Sequence, residues 1–393
     1  MRRAVWISLA AGVLAAVAFW AGADQAAVGP GAATVAPPAP GRPTPAPSGE
    51  TPPARRADPG DTYHGLSWQI HRSAGCVEAA RVVFAEMAAL GADTVLISNA
   101  GYQEHAGSDS FHLDPEVSPT EQQWMEIFEL ARRHGLRVIL MPIILLSHPR
   151  GTEWRGVINP PSWDDWMEQY QKFILHFAAL AARGRIEMMT VGSELVTAEK
   201  SVPVEQWRRL IREVRKVFPG KLSYSSNWDH YKVVQFWDEL DVVGMTSYYK
   251  LASEPNPSLE SLVAAWQPIK RGLLRWQKEI GKPLLFTEVG WCSQSGAAIE
   301  PWNYYHDQRA TPEGLQEQLR CYQAFIETWR DQILTGRPPV GGVIWWEWPL
   351  TEGGEKDYNY TPKGKPAEQV LRAWFASVQD FRRQRTALAP AGP

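Results

Sequence analysis

A chain of 393 residues with a formal net charge of −3, both signs dispersed along it, offers no basic stripe for a nucleic-acid backbone, so nucleic acid is excluded as an expected partner. Its three cysteines, Cys76, Cys292 and Cys321, form no C-x-x-C pair, which leaves zinc-ribbon and thioredoxin-like chemistry without support. Whether Cys292 and Cys321 pair with each other is open at this stage.

At the N-terminus, Met1, Arg2 and Arg3 precede an apolar stretch over residues 4–19, and Ala21, Gly22 and Ala23 supply a small-residue cleavage pattern. Residues 1–25 therefore read as a signal peptide. An uncleaved membrane anchor is the alternative, because residues 4–23 are nearly long enough to span a bilayer. Either way the expected location is outside the cytoplasm: secreted, periplasmic, or tethered and facing outward. Residues 26–60 are mostly Ala, Pro, Gly and Thr with almost no large apolar side chain. Such sequence cannot offset the entropy of ordering itself, and reads as a disordered, extended spacer. Residues 61–381 form the body, large enough for one sizeable core, and residues 382–393 read as a disordered tail.

The body alternates strand and helix throughout. Strands are expected at residues 63–70, 93–98, 137–145, 187–191, 221–225, 241–246, 283–286 and 341–346. Helical spacing follows over 76–91, 120–135 (with Thr120 as the cap), 162–182, 202–218, 259–280, 313–329 and 367–375, and a short segment through Phe236 and Trp237 follows the fifth strand. Eight strands in this alternation imply α/β architecture with a parallel sheet, closed into a single-domain (β/α)8 TIM barrel. An open doubly wound sheet is the rival, but no strand-turn-helix junction carries G-x-G-x-x-G or a P-loop.

In such a barrel the residues just past each strand converge on one mouth. Read off in order they are Trp68, Asn99, His148, Glu194, Asn227 with Trp228, Tyr248 with Tyr249, Glu288, and finally Trp345, Trp346 and Glu347. Carboxylates, amides and aromatic rings together suit a carbohydrate, whose apolar ring faces stack on aromatics while its hydroxyls need polar partners. The chain holds 19 tryptophans, and many fall in these loops; Trp124, Trp207, Trp276 and Trp374 sit instead at helical spacings and are expected in the core. Glycoside hydrolysis needs two carboxyl groups flanking the scissile bond. Glu194 and Glu288 occupy equivalent places on two strands, three βα units apart at about 30 residues each. Each alone has a plainer reading, a helix N-terminal carboxylate for Glu194 and a surface turn for Glu288. Tyr248 is placed to hydrogen-bond Glu288, Asn227 to bind a sugar hydroxyl, and Trp346, or Trp345, to lie under the sugar. Glu347 is the rival carboxylate; alternation along its strand could instead aim it into the helix layer. The long loops 147–163 and 294–312 bring Trp154, Trp302, Tyr304 and Tyr305 as cleft walls.

The stretches VGSELV, FPGKLSYSSNW, FWDELDVVGMTSYY, GKPLLFTEVGW, PWNYY, GGVIWWEWPL and YTPKGKPAEQVLRAW, in this order over more than 200 residues, make the body resemble glycoside hydrolase family 113. That family lies within the large clan of retaining (β/α)8 glycosidases. The resemblance implies a β-mannan or manno-oligosaccharide substrate, no metal and no cofactor. It also implies Glu194, ending the fourth strand, as acid/base and Glu288, ending the seventh, as nucleophile. One departure is visible. Most of the wider clan places Asn immediately before the acid/base, where this chain has Ser193, whose shorter side chain cannot reach the same sugar atom.

Three other readings compete. A metal-dependent hydrolase would want clustered histidines, and the nine present include no H-x-H or H-x-x-x-H. A glycan-binding barrel without activity, and a transglycosylase or hydrolase of another β-glycan, stay open because fold does not fix function. A monomer is expected.

Overall fold

The computed structural model describes residues 61–388. The expected signal or anchor and the spacer lie outside the described residues. Eight parallel strands close into a barrel: β1 (Tyr63–Ile70), β2 (Thr94–Gln103), β3 (Arg137–Leu146), β4 (Met188–Ser193), β5 (Lys221–Ser226), β6 (Val242–Thr246), β7 (Leu284–Val289) and β8 (Val340–Trp345). Each pairs in parallel with its neighbours, and β8 returns to β1 with Tyr63 opposite Gly342, so no edge is left open. A two-residue strand, Phe111–His112, adds antiparallel to the top of β2.

Helices α1 (Cys76–Leu90), α2 (Glu121–Arg133), α3 (Trp163–Gly184), α4 (Val196–Ser201), α5 (Val204–Val217), α6 (Leu259–Ile280), α7 (Pro312–Thr335) and α8 (Pro366–Leu388) lie around the barrel. Thr120 caps α2 through a capping box, accepting from the Gln123 N–H while Gln123 accepts from the Thr120 N–H. No α-helix follows β5; a single 3₁₀ turn, Trp237–Glu239, makes that crossover. The expected second strand stops too early at residue 98, because the chain stays extended to Gln103 and all of it but the half-buried Tyr102 is buried.

Alternation along the strands separates two cores. Tyr63, Leu96, Ile139, Met141, Met188, Val242, Leu285 and Ile344 fill the barrel, while the opposite faces pack on the helices. Trp124, Trp207, Trp276 and Trp374 are buried in that outer layer.

The barrel floor is ionic. Arg137 at the start of β3 donates to Asp93 (2.7 Å), and Arg382 of α8 donates to Asp93 (2.6 Å) and to the Thr62 carbonyl (3.1 Å). Arg385 of the same helix pairs with Asp61. The tail expected to be disordered from residue 382 is therefore helical through Leu388, and Arg382 is buried. The reason is amphipathicity carried one turn further: Arg382 falls on the face that meets the floor carboxylates.

Candidate active site

At the C-terminal mouth, β4 ends in Gly192 and Ser193, and the chain kinks at the next residue, Glu194, into left-handed backbone, φ 52°. A non-glycine residue there costs about 1–2 kcal/mol. Two hydrogen bonds hold the kink: the Glu194 N–H donates to the Ser225 carbonyl (2.9 Å), and the Leu195 N–H to the Tyr224 hydroxyl (3.0 Å). Tyr224 in turn donates to Glu199 (2.7 Å), a buried carboxyl one turn into α4. Glu288 lies inside β7 one residue before its end. Beyond it, Gly290 leaves room for β8: a Cβ there would stand 2.3 Å from the Trp346 carbonyl oxygen.

The two glutamates are tied to separate partners. Tyr248 donates its hydroxyl to Glu288 Oε2 at 2.9 Å. Thr246 donates to Glu194 Oε1 at 3.0 Å, and Arg155 donates from Nη2 to Glu194 Oε2 at 2.6 Å. The Thr246 hydroxyl has one hydrogen and can serve Asn227 Oδ1 instead, at 3.3 Å. Asn227 also donates to Asp229 (3.0 Å). Burial pushes the Glu288 carboxyl up to about 8, helped by the Glu194 charge and then opposed by Arg155 and the Tyr248 hydrogen bond; Glu347 adds a small upward push. The charge of Glu194 thus reaches the Glu288 carboxyl electrostatically. Glu347, half-buried and two residues past β8, is itself pushed up to about 7 by burial and by the charges of Glu352 and Asp357.

Around the glutamates an aromatic wall forms from four strands' loops. Trp228, Tyr248, Trp302, Tyr304, Trp346 and Tyr360 cluster with Cys292. Trp302 stacks on Trp228 with centroids 5.5 Å apart, and Tyr304 lies 4.2 Å from Tyr305. Tyr249 meets Trp228 edge-on and donates to its carbonyl (3.1 Å). Trp154 stands on the β3–α3 loop, 6.0 Å from the Arg155 guanidinium. His148 is exposed on the same loop. All three cysteines are free and buried, so Cys292 and Cys321 do not pair.

Three expected site residues fall elsewhere. Trp68 points outward from β1 and meets Phe84 of α1 edge-on at 5.5 Å; it shares its face with Leu66 and Ile70, as the two-residue alternation requires. Trp345 is fully buried and stacks on Tyr322 of α7 at 5.0 Å. It is Trp346, half-buried at the mouth, that joins the wall. Asn99 lies within β2, fully buried, 3.5 Å from the Ile70 carbonyl oxygen. Two residues the sequence reading missed are Arg155 and Thr246. Thr246 is legible in retrospect, since it ends β6 two residues before Tyr248 and so shares its inward face. Arg155 carries no such signal, because it belongs to a loop 3₁₀ turn, Arg155–Val157.

A closed parallel barrel with two buried carboxyl groups and an aromatic wall at its C-terminal mouth defines a glycosidase-type site. The family model for Glycoside Hydrolase Family 113 matches residues 66–365, and the chain belongs to that family of glycoside hydrolases. Among solved structures, the family 113 β-mannanase of Alicyclobacillus acidocaldarius is similar at 28% identity and TM-score 0.70, covering 81% of this chain and 98% of that one. A family 113 β-1,4-mannanase is similar at 28% identity and TM-score 0.69, covering 81% of this chain and 99% of the other. The endo-β-1,4-mannanase of Thermotoga petrophila, at 12% identity and TM-score 0.54 over 84% of this chain and 78% of its own, shares the fold. No curated protein matches the sequence.

Proposed function

We propose that the chain is a retaining hydrolase of β-1,4-mannan or its oligosaccharides. The observation that carries this reading is the pair of buried glutamates at one barrel mouth, each held by its own donors, in a chain of a family whose solved members include β-mannanases. Glu288, ionised and oriented by Tyr248, attacks the anomeric carbon. Glu194, protonated for that step, gives its proton to the leaving oxygen and then takes one from the water that cleaves the glycosyl-enzyme. Trp346 and Trp228 supply apolar ring faces for the sugars, and Asn227, beside Glu194 through Thr246, supplies an amide for a hydroxyl. Ser193 precedes Glu194; its buried hydroxyl has no protein partner among the described residues. The N-terminal basic and apolar segment directs export, with cleavage or retention as an anchor decided by sequencing the mature N-terminus. The protein acts as a monomer, which its sedimentation tests.

The test of the reaction is product release from β-1,4-mannan and manno-oligosaccharides by wild type, Glu288→Ala and Glu194→Ala. Activity is expected to vanish in the first variant; in the second it should survive only on aryl β-mannosides whose leaving group needs no acid. Cleavage of a different β-glycan that still needs both glutamates would discard mannan and keep the mechanism. Binding without turnover on every glycan would leave a lectin-like barrel.

A further inference from the structure

Strand β4 does not run evenly to its end. It advances from Thr190 to Ser193 while its partner β5 advances only from Ser223 to Ser225, so β4 holds one extra residue there. Such a bulge bends the strand and re-aims the side chains that follow it. The next residue is Glu194, in left-handed backbone. Two departures from strand geometry therefore stand side by side where the acid/base carboxyl leaves the barrel wall.

These departures carry backbone groups off the sheet's own ladder. The Glu194 N–H returns to it at the Ser225 carbonyl, 2.9 Å away. The Leu195 N–H does not. Leu195 is buried, and its N–H donates instead to the Tyr224 hydroxyl at 3.0 Å. That hydroxyl has one hydrogen, which goes to Glu199 Oε1 at 2.7 Å. Because an amide N–H can only donate, the order Leu195 to Tyr224 to Glu199 is fixed. The circuit closes where the Glu199 N–H donates to the Leu195 carbonyl at 2.8 Å.

The Tyr224 ring has no room to drift. Trp207 and Phe236 meet it edge-on at 5.8 and 5.3 Å, and a Cβ on Gly192 would stand 2.7 Å from its Cε2. Phenylalanine would fill that place equally well. What it would lack is the hydroxyl, whose hydrogen bonds both go to the segment directly after Glu194.

We propose that Tyr224, oriented by Glu199, is a positioning residue for the acid/base: its hydroxyl pins the turn after β4 and so aims the Glu194 carboxyl at the leaving oxygen. This rests on the reading of Glu194 as acid/base. Tyr224 packs in the layer outside the barrel and Glu199 is buried on α4, so neither meets the sugar. Glu288 is held separately by Tyr248, so the pin bears on one carboxyl of the two.

The test uses the full enzyme and isolates the acid step by choice of leaving group. kcat/KM is measured on mannotetraose, whose departing sugar needs a proton, and on a dinitrophenyl β-mannobioside, whose departing phenolate does not. For Tyr224→Phe a fall of about 10- to 100-fold is expected on mannotetraose, because misplacing a reacting group by about 1 Å costs up to about 100-fold. The loss on the aryl substrate should stay within about three-fold, since Glu288 keeps its aim. Glu199→Leu should show the same split between substrates. Glu199→Gln, whose carbonyl oxygen can take the tyrosine's hydrogen, should narrow it. Equal losses on both substrates, or a mannotetraose rate within about two-fold of wild type, would overturn the proposal and leave Tyr224 to packing. If Tyr224→Phe does not fold, the Glu199 pair decides: a substrate ratio in Glu199→Leu equal to that of wild type overturns it. Glu194→Ala losing no more on mannotetraose than on the aryl substrate would instead sink the acid/base reading underneath.

Discussion

Tyr248→Phe removes one hydroxyl and leaves the ring, which packs against Tyr360 at 5.9 Å, in place. The lost interaction is the 2.9 Å hydrogen bond to Glu288. A hydrogen bond to a charged group contributes about 1.5–3 kcal/mol, which corresponds to about one to two pH units on the carboxyl. In the wild type, burial and the Glu194 charge raise Glu288 to about 8 while Arg155 and Tyr248 pull it down. Removing one of the two downward pulls raises it further. An acid with a raised pKa is ionised only above that value, so the variant has less of the attacking carboxylate at neutral pH. The expected result is a fall in kcat/KM of about 10- to 100-fold near pH 6–7 that shrinks as pH rises, with the acidic limb displaced by about one to two units. Tyr248 adds no titration of its own, because burial first and the Glu288 charge second raise it well above 10. Initial rates on a manno-oligosaccharide across pH 4–10 read this out, with thermal melting as the check on folding. A Tyr248→Phe enzyme within about two-fold of wild type at every pH, or a loss that ignores pH, would refute the argument and reduce Tyr248 to packing.

Two further outcomes concern stability. Glu199 is pushed up to about 7 by burial, with Glu194 adding to the shift and the Tyr224 hydrogen bond opposing it, from an ordinary 4.5. Between those values the folded protein keeps a proton that the unfolded chain has lost, so stability drains away as pH rises through the window. Glu199→Gln should therefore resist urea about 3 kcal/mol better than wild type at pH 8 and no better at pH 4.5; equal gains at both would show that charge is not the cause. At the floor, Arg382→Met leaves Asp93 to Arg137 and Asp61 to Arg385 alone, at a cost of about 1.5–3 kcal/mol for the lost charged hydrogen bond. Truncation after Phe381 should do the same, and a denaturation midpoint unmoved by either would show that the helix end is dispensable.

The barrel was legible because its signals are periodic. Continuous apolar runs marked the strands, 3.6-residue spacing marked the helices, and the 259–280 helix and first strand came out at their observed bounds. The convergence of Glu194, Tyr248 and Glu288 followed from strand ends alone. What failed was parity. Trp68 against Ser67, and Trp345 against Trp346, differ by which face of a pleat they occupy, and a strand end misplaced by one residue exchanges them. Asn99 failed for a related reason, since β2 runs five residues past its expected end. Arg155 was out of reach altogether: no local pattern tells a loop arginine that meets a carboxylate at the end of the next strand from one that faces water. The helical tail was missed because its last turns are mostly charged and exposed, with a single buried residue, Arg382, to betray the packing.

The ionic floor has a geometric corollary. Arg382 and Arg385 clamp Asp61 and Thr62, the first described residues, on the face where every strand begins, while Glu194 and Glu288 lie where strands end. Eight residues of β1 at about 3.3 Å each separate the two faces by about 26 Å. The cleft therefore opens on the face opposite the one where the chain enters β1, and a long polymer crossing the mouth meets strand ends and their loops, never the floor.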